Sequence, residues 1–168
     1  LDLRTVDNEG RRWDFDDPAT QRRALELVRQ TKPRMLIGSP ECTAFSALQN
    51  LSAAKRDPDV VRALWSRACR HVEFCIVLYQ EQISRGDIFV HEHPATASSW
   101  KLPGMVKLSL QPGVEKYQAH MCAHGMWATD DKGPGLVKKA TTFLCNSKYV
   151  GASIARECTG GHRHVHLL

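Results

Sequence analysis

No stretch of this 168-residue chain is apolar for long enough to cross a bilayer. The greasiest run, Phe74 to Tyr79, is six residues long, where a spanning helix needs about twenty. No membrane partner is therefore expected. No secretory leader is expected either, because Asp2 and Arg4 stand where its apolar segment would begin. There is no internal repeat and no low-complexity tract. Six cysteines are present without the look of a disulfide framework: Cys69 and Cys75 fall on a helical pattern, Cys42 in a loop, and Cys122, Cys145 and Cys158 toward the end. A chain of this length does not need staples, so free thiols or metal ligands and an intracellular location, nuclear or cytoplasmic, are expected. The chain opens on Leu1 rather than Met, which leads us to expect a segment of something longer.

What is present reads as one globular domain over residues 1–168 with a Cys/His-rich tail at 158–168. Hydrophobic residues make up 42% and charged residues 24%, the ordinary balance of a folded chain. The formal charge of +5 suits a nucleic-acid partner, since Lys and Arg on phosphates release condensed counterions. It suits a plain basic surface equally well, because Arg11, Arg12, Arg22, Arg23, Lys55, Arg56, Lys138 and Lys139 are scattered and form no tract.

Helical and strand signals alternate, which predicts an α/β fold with a mainly parallel sheet. Asp17-Pro18 opens a helix that ends before Lys32-Pro33, with Ala24, Leu25 and Val28 on one face. Met35–Gly38 reads as a short strand followed by the loop Ser39-Pro40-Glu41-Cys42. Asp57-Pro58 opens a second, long helix, closed by Gly86. Ile88-Phe89-Val90 is a second strand, ending at His91-Glu92-His93-Pro94. The stretch containing Pro103, Gly104, Pro112 and Gly113 reads as loop. Lys116–Met121 and Thr141–Leu144 read as strands, with a turn-rich excursion at Asp130–Gly135. Cys42 and Glu92 thus fall just past the carboxyl ends of two strands, where open α/β sheets place ligands.

The motif Ser39-Pro40-Glu41-Cys42-Thr43-Ala44-Phe45-Ser46 resembles the Pro-Pro-Cys nucleophile loop, followed by Phe-Ser, of the cytosine-C5 methyltransferases. Phe89-Val90-His91-Glu92-His93-Pro94 stands where that family has Glu-Asn-Val. Cys122-Ala123-His124-Gly125 and Lys138 to Asn146 are similar to a block of its diverged members, found in mobile-element polyproteins. Trp13-Asp14-Phe15 ahead of a helix and a Cys/His tail complete the likeness. The resemblance implies a Rossmann-like core, DNA as partner and S-adenosylmethionine as methyl donor. Cys42 would be the nucleophile and Glu92 the acid, with Ser39, Pro40, Phe45, Ser46, His93, Lys139 and Thr141 around the substrate.

The chemistry accounts for those residue types. Carbon 5 of cytosine is too weak a nucleophile until a thiolate adds at carbon 6. A carboxylic acid that protonates ring nitrogen 3 eases the addition. The family pattern is not complete here. Glu41 replaces its second Pro and His93 its Asn; Ala140 and Thr142 replace Pro and Arg in the diverged block. No Arg-x-Arg is recognisable, and no glycine-rich strand-to-helix turn is present to hold the donor, which implies that this part is truncated or lies upstream. Cys42 can also be read as a buried small hydrophobe, Glu92 as an ion-pair partner, or Cys42 with His91 or His93 as a thiol hydrolase.

A second constellation joins Cys158-Thr159-Gly160-Gly161-His162-Arg163-His164 to Cys122. Two thiols and two imidazoles suit tetrahedral zinc, and Cys122, Cys158, His162 and His164 are the predicted ligands. The competing reading is a solvated His-rich tail. A zinc-stabilised, non-catalytic interaction or nucleic-acid-binding module is the alternative function. The tryptophans, Trp127 among them, read as packing residues.

Overall fold

The fold is described from a computed structural model covering residues 5–46 and 56–166; Asp2, Arg4 and Lys55 lie outside the described residues. The first helix, α1 (Pro18–Thr31), starts where Asp17 accepts hydrogen bonds from the amides of Ala19 and Thr20. It ends at Lys32, which takes the left-handed conformation (φ 45°). Strand β1 (Met35–Gly38) follows, then the loop and a short helical turn over Thr43–Phe45. Helix α2 (Pro58–Arg85) is capped by Asp57 at its start and by Gly86 at φ 73°. Its buried face begins only at Val72; Leu64 and Trp65, which share the helical period, stay exposed.

Strand β2 (Ile88–Pro94) runs four residues past its expected end. Gln82 fixes where it begins: its side-chain amide donates to the carbonyls of Pro33 and Ile88. Asn146 closes the same end by accepting from the Phe89 amide and donating to the Asp87 carbonyl. The stretch expected to be loop contains a short helix, α3 (Pro103–Ser109), because Pro103 at a first helical position loses no hydrogen bond. Strand β3 (Glu115–His120) leads into a helical turn at Met121–His124. The turn-rich excursion is the tip of a hairpin, β4 (Trp127–Asp130) and β5 (Gly133–Val137). Strand β6 (Ala140–Cys145), helix α4 (Lys148–Ile154) and the two-residue strand β7 (His164–Val165) complete the chain.

The main sheet has the order β1-β2-β6-β3. Its β1–β2 pair is parallel, whereas β6 runs antiparallel to both β2 and β3. The α/β class holds; a mainly parallel sheet does not, because β6 is inserted upside down between two strands that point the same way. A second sheet has the order β4-β5-β7, with β4–β5 antiparallel and β5–β7 parallel. The main core, including Phe45, Val72, Tyr79, Phe89, Met105, Leu108 and Leu144, draws on the main sheet, α2 and α3; a second, formed by Trp13, Ala24, Val28, Phe74 and Leu78, joins α1 to α2.

Gly38 shows how tightly α2 lies on the sheet. A methyl group built there would sit 1.8 Å from the Tyr79 hydroxyl, and Tyr79 is fully buried, stacked on Phe89 at 4.8 Å. Gly38→Ala is expected to cost roughly 2–3 kcal/mol, the upper range for overpacking, read as a lower denaturation midpoint. An unchanged midpoint would mean that Tyr79 moves aside freely.

Candidate functional site: a loop over a carboxylate and a Cys/His centre

Because β1 and β2 pair in parallel with Gly38 beside His91, the loop leaving β1 comes out next to Glu92. Ser39 Oγ donates to Glu92 Oε2 at 2.5 Å. From β6's side, Lys139 Nζ lies 3.2 Å from Glu92 Oε1. The carboxylate is thus held by a hydroxyl and an ammonium, with its side chain 18% exposed. Cys42, three residues beyond Ser39, is half-buried, and its carbonyl accepts from the Phe45 amide. A cavity of about 180 Å³ flanks the loop; Glu41, Thr43 and Ala44 line it together with Phe15, Trp65 and His71. Cys42 and Glu92 are not among its described lining residues.

The loop is held from below by the opposite face of β2. His93 is buried, and its Nε2 lies 3.0 Å from the Pro40 carbonyl, so Nε2 carries the proton and donates. Its Nδ1 then accepts from Ser99 Oγ at 2.6 Å. With both nitrogens engaged within the protein, His93 anchors the loop to β2. Phe45 is also buried, edge-on to Trp65 at 5.1 Å, and its carbonyl accepts from Ser98 Oγ. Pro40 and Thr141 are buried as well. Of the expected substrate contacts, only Ser39, Ser46 and Lys139 keep accessible surface.

His91, the other β2 histidine on this face, is fully buried between Tyr79, His93 and Trp100. Its Nδ1 pairs with the Tyr79 hydroxyl at 2.9 Å, while Nε2 has no protein partner. Burial pushes His91 well below the usual histidine range, with His93 adding to the effect; burial lowers His93 and His71 too. A histidine depressed in the fold binds its proton more readily once unfolded. Stability is therefore intact above about pH 6.5 and is lost as pH falls below it, by about 1.4 kcal/mol per unit from His91 alone. Denaturation midpoints at pH 7.5 and 5.5 should show this loss, and His91→Gln should reduce it. An equal loss in that variant would place the acid sensitivity elsewhere.

The second site lies where the C-terminal tail crosses the end of β3. The Cys122 and Cys158 sulfurs and one nitrogen each from His162 and His164 all lie within 4.8 Å of one another. Cys158 Sγ is 3.5 Å from both His162 Nε2 and His164 Nε2, and those two nitrogens are 2.9 Å apart. Local structure explains the convergence. His120 Nδ1 accepts the Cys158 amide at 2.9 Å, docking the tail on β3. Gly160 and Gly161, both at positive φ (78° and 76°), reverse the chain, and the Gly160 amide points at the Cys158 sulfur at 3.4 Å. Pairing of β7 with β5 then places His164 opposite Leu136. Desolvation and the adjacent Cys158 push the Cys122 thiol up, while desolvation and then His162 push His164 down. These four groups could hold a metal ion. His120 and His124 are not in the set: His120 orients Cys158, and His124 pairs with the Ile154 carbonyl.

Comparison with models of protein families, with curated proteins and with solved structures returned no match for this chain.

Proposed function

We propose that this chain is a zinc-stapled relative of the cytosine-C5 methyltransferase core that acts on nucleic acid through Cys42 and Glu92. The observation that carries this reading is the Ser39–Glu92 hydrogen bond, which joins the Cys42 loop to a carboxylate on the neighbouring parallel strand. The Cys42 thiolate adds to carbon 6 of an unstacked cytosine while the Glu92 carboxylic acid protonates ring nitrogen 3. The enamine so formed takes a proton from water at carbon 5. Loss of the original hydrogen from carbon 5, expulsion of the thiolate and return of the nitrogen proton restore the base. The net result is hydrogen exchange at carbon 5 and needs no methyl donor. S-adenosylmethionine is the donor that the resemblance implies. Among the described residues no glycine-rich strand-to-helix turn fits it, and no transfer step is derived. The open edge of β1, with Ile37 68% exposed, is of the kind that another strand covers.

Tritium release from DNA containing [5-³H]cytosine tests the reading. Release is expected from the unaltered chain and not from Cys42→Ala. No release above a protein-free control, from single-stranded or duplex DNA, overturns the catalytic claim.

A non-catalytic, zinc-stabilised interaction module is the second reading, favoured because Lys139 already engages Glu92 and because Pro40, Phe45, His93 and Thr141 are buried. Both readings share the metal. Zinc at about 2.3 Å from sulfur and about 2.0–2.1 Å from nitrogen, in tetrahedral geometry, separates the two ligand atoms by about 3.6 Å. The Cys158 distances to both histidines are 3.5 Å.

A further inference from the structure

We infer that the outer face of the small sheet is a stacking platform for single-stranded nucleic acid, with Trp127 as the ring on which a base rests. Trp127 is 67% exposed, although a Trp side chain is the largest apolar group that folding can bury. The register sets its company. Trp127 pairs with Leu136, and Leu136 with His164, so these three side chains stand on one face. Lys138, two residues past Leu136, continues that line and is exposed, and its amide donates to the Val165 carbonyl.

The charge balance favours a polyanion. Residues 115–166 hold seven Lys or Arg against four Asp or Glu. Asp130 and Arg163 pair through two 2.8 Å contacts, which leaves six Lys or Arg against three Asp or Glu. In a duplex both faces of each base are covered by neighbours, so only an unpaired base can lie on an exposed ring. Stacking of this kind is tolerant of sequence and combines with phosphate contacts from nearby lysines. The Arg163–Asp130 pair and the β5–β7 ladder hold the platform in shape.

This inference rests on the proposed function for its nucleic-acid partner and for the zinc. The two fail separately: tritium release reports on Cys42, and binding reports on Trp127. The test is fluorescence anisotropy of a short fluorescein-labelled oligothymidylate titrated with zinc-loaded protein at several salt concentrations, beside a duplex of the same length. The single strand should bind more tightly than the duplex. Trp127→Ala should weaken it by about 5- to 150-fold, and Trp127→Phe should restore most of the affinity. Lys138→Gln should lower the slope of log affinity against log salt by about 0.7. Zinc content and melting temperature should match the unaltered protein in all three variants, since Trp127 and Lys138 are exposed. Equal affinity of Trp127→Ala, a preference for duplex, or no binding to the single strand each overturns the platform.

Discussion

Stripping zinc from the protein with a chelator should lower its melting temperature by about 8–16 °C. A ligand that binds only the folded state at a thousand times its dissociation constant adds about 4.1 kcal/mol, and each kcal/mol is worth about 2–4 °C in a chain of this size. Apart from the Cys158–His120 bond, the β5–β7 ladder and the Arg163–Asp130 pair, the tail buries little. Its strand β7 is two residues long, and among the described residues Val165 is the only buried one beyond Gly151. Without a cation, two thiols and two imidazoles face one point with no opposite charge to offset their desolvation. Elemental analysis should find one zinc per chain. His164→Ala and Cys158→Ala should lose the metal and the chelator response together, while His166→Ala, outside the four, should keep both. A substoichiometric, chelator-insensitive protein would return the cluster to a solvated tail.

Glu92→Gln should slow tritium release by roughly 10²–10⁴-fold, the usual contribution of a positioned acid. The substitution preserves shape, and the amide oxygen still accepts from Ser39, so the melting temperature should move little. What is lost is the proton for ring nitrogen 3. To deliver it, the carboxyl has to exchange its Lys139 contact for the base. Lys139→Ala therefore separates two roles. If the lysine merely occupies Glu92, release rises or holds; if it also seats the phosphate backbone, release falls through weaker binding. Unchanged release in Glu92→Gln would remove the acid role, leaving Glu92 as an ion-pair partner, as the sequence also allowed, with Lys139 the partner that the fold supplies.

The elements that could be read from the chain are those set by neighbours within a few residues. Asp17-Pro18 and Asp57-Pro58 open helices because the carboxylate meets the first free amides locally, and Gly86 ends one because, without a Cβ, it takes the left-handed turn at little cost. The metal set was legible for a similar reason: two alternating histidines and a Gly-Gly turn bring three of its members together within seven residues, and Cys122 stands between two alternating histidines in the upstream segment. Helix α4 was missed because Lys148–Ile154 is short, contains Gly151 and carries no apolar stripe; it forms because Gly151 lets Tyr117 pack against it.

Strand direction was not legible at all. Nothing in Ala140–Cys145 distinguishes a parallel strand from an antiparallel one, since a buried strand shows the same apolar run either way. The hairpin at Asp130–Gly133 and the path of the chain around it decide that β6 enters reversed. Likewise, the motif residues His93 and Thr141 point into the protein, because the pairing of β2 with β6 assigns each residue a face, and Phe45 is turned inward by the short helical turn Thr43–Phe45. The sequence by itself determined where the two longest helices, α1 and α2, begin and end and which four side chains could share a metal, since short-range hydrogen bonds and spacing are local quantities. Only the tertiary structure decided which way β6 runs, which motif residues lie beneath the loop and that Trp127 stands in solvent. Those depend on contacts between residues far apart in the chain.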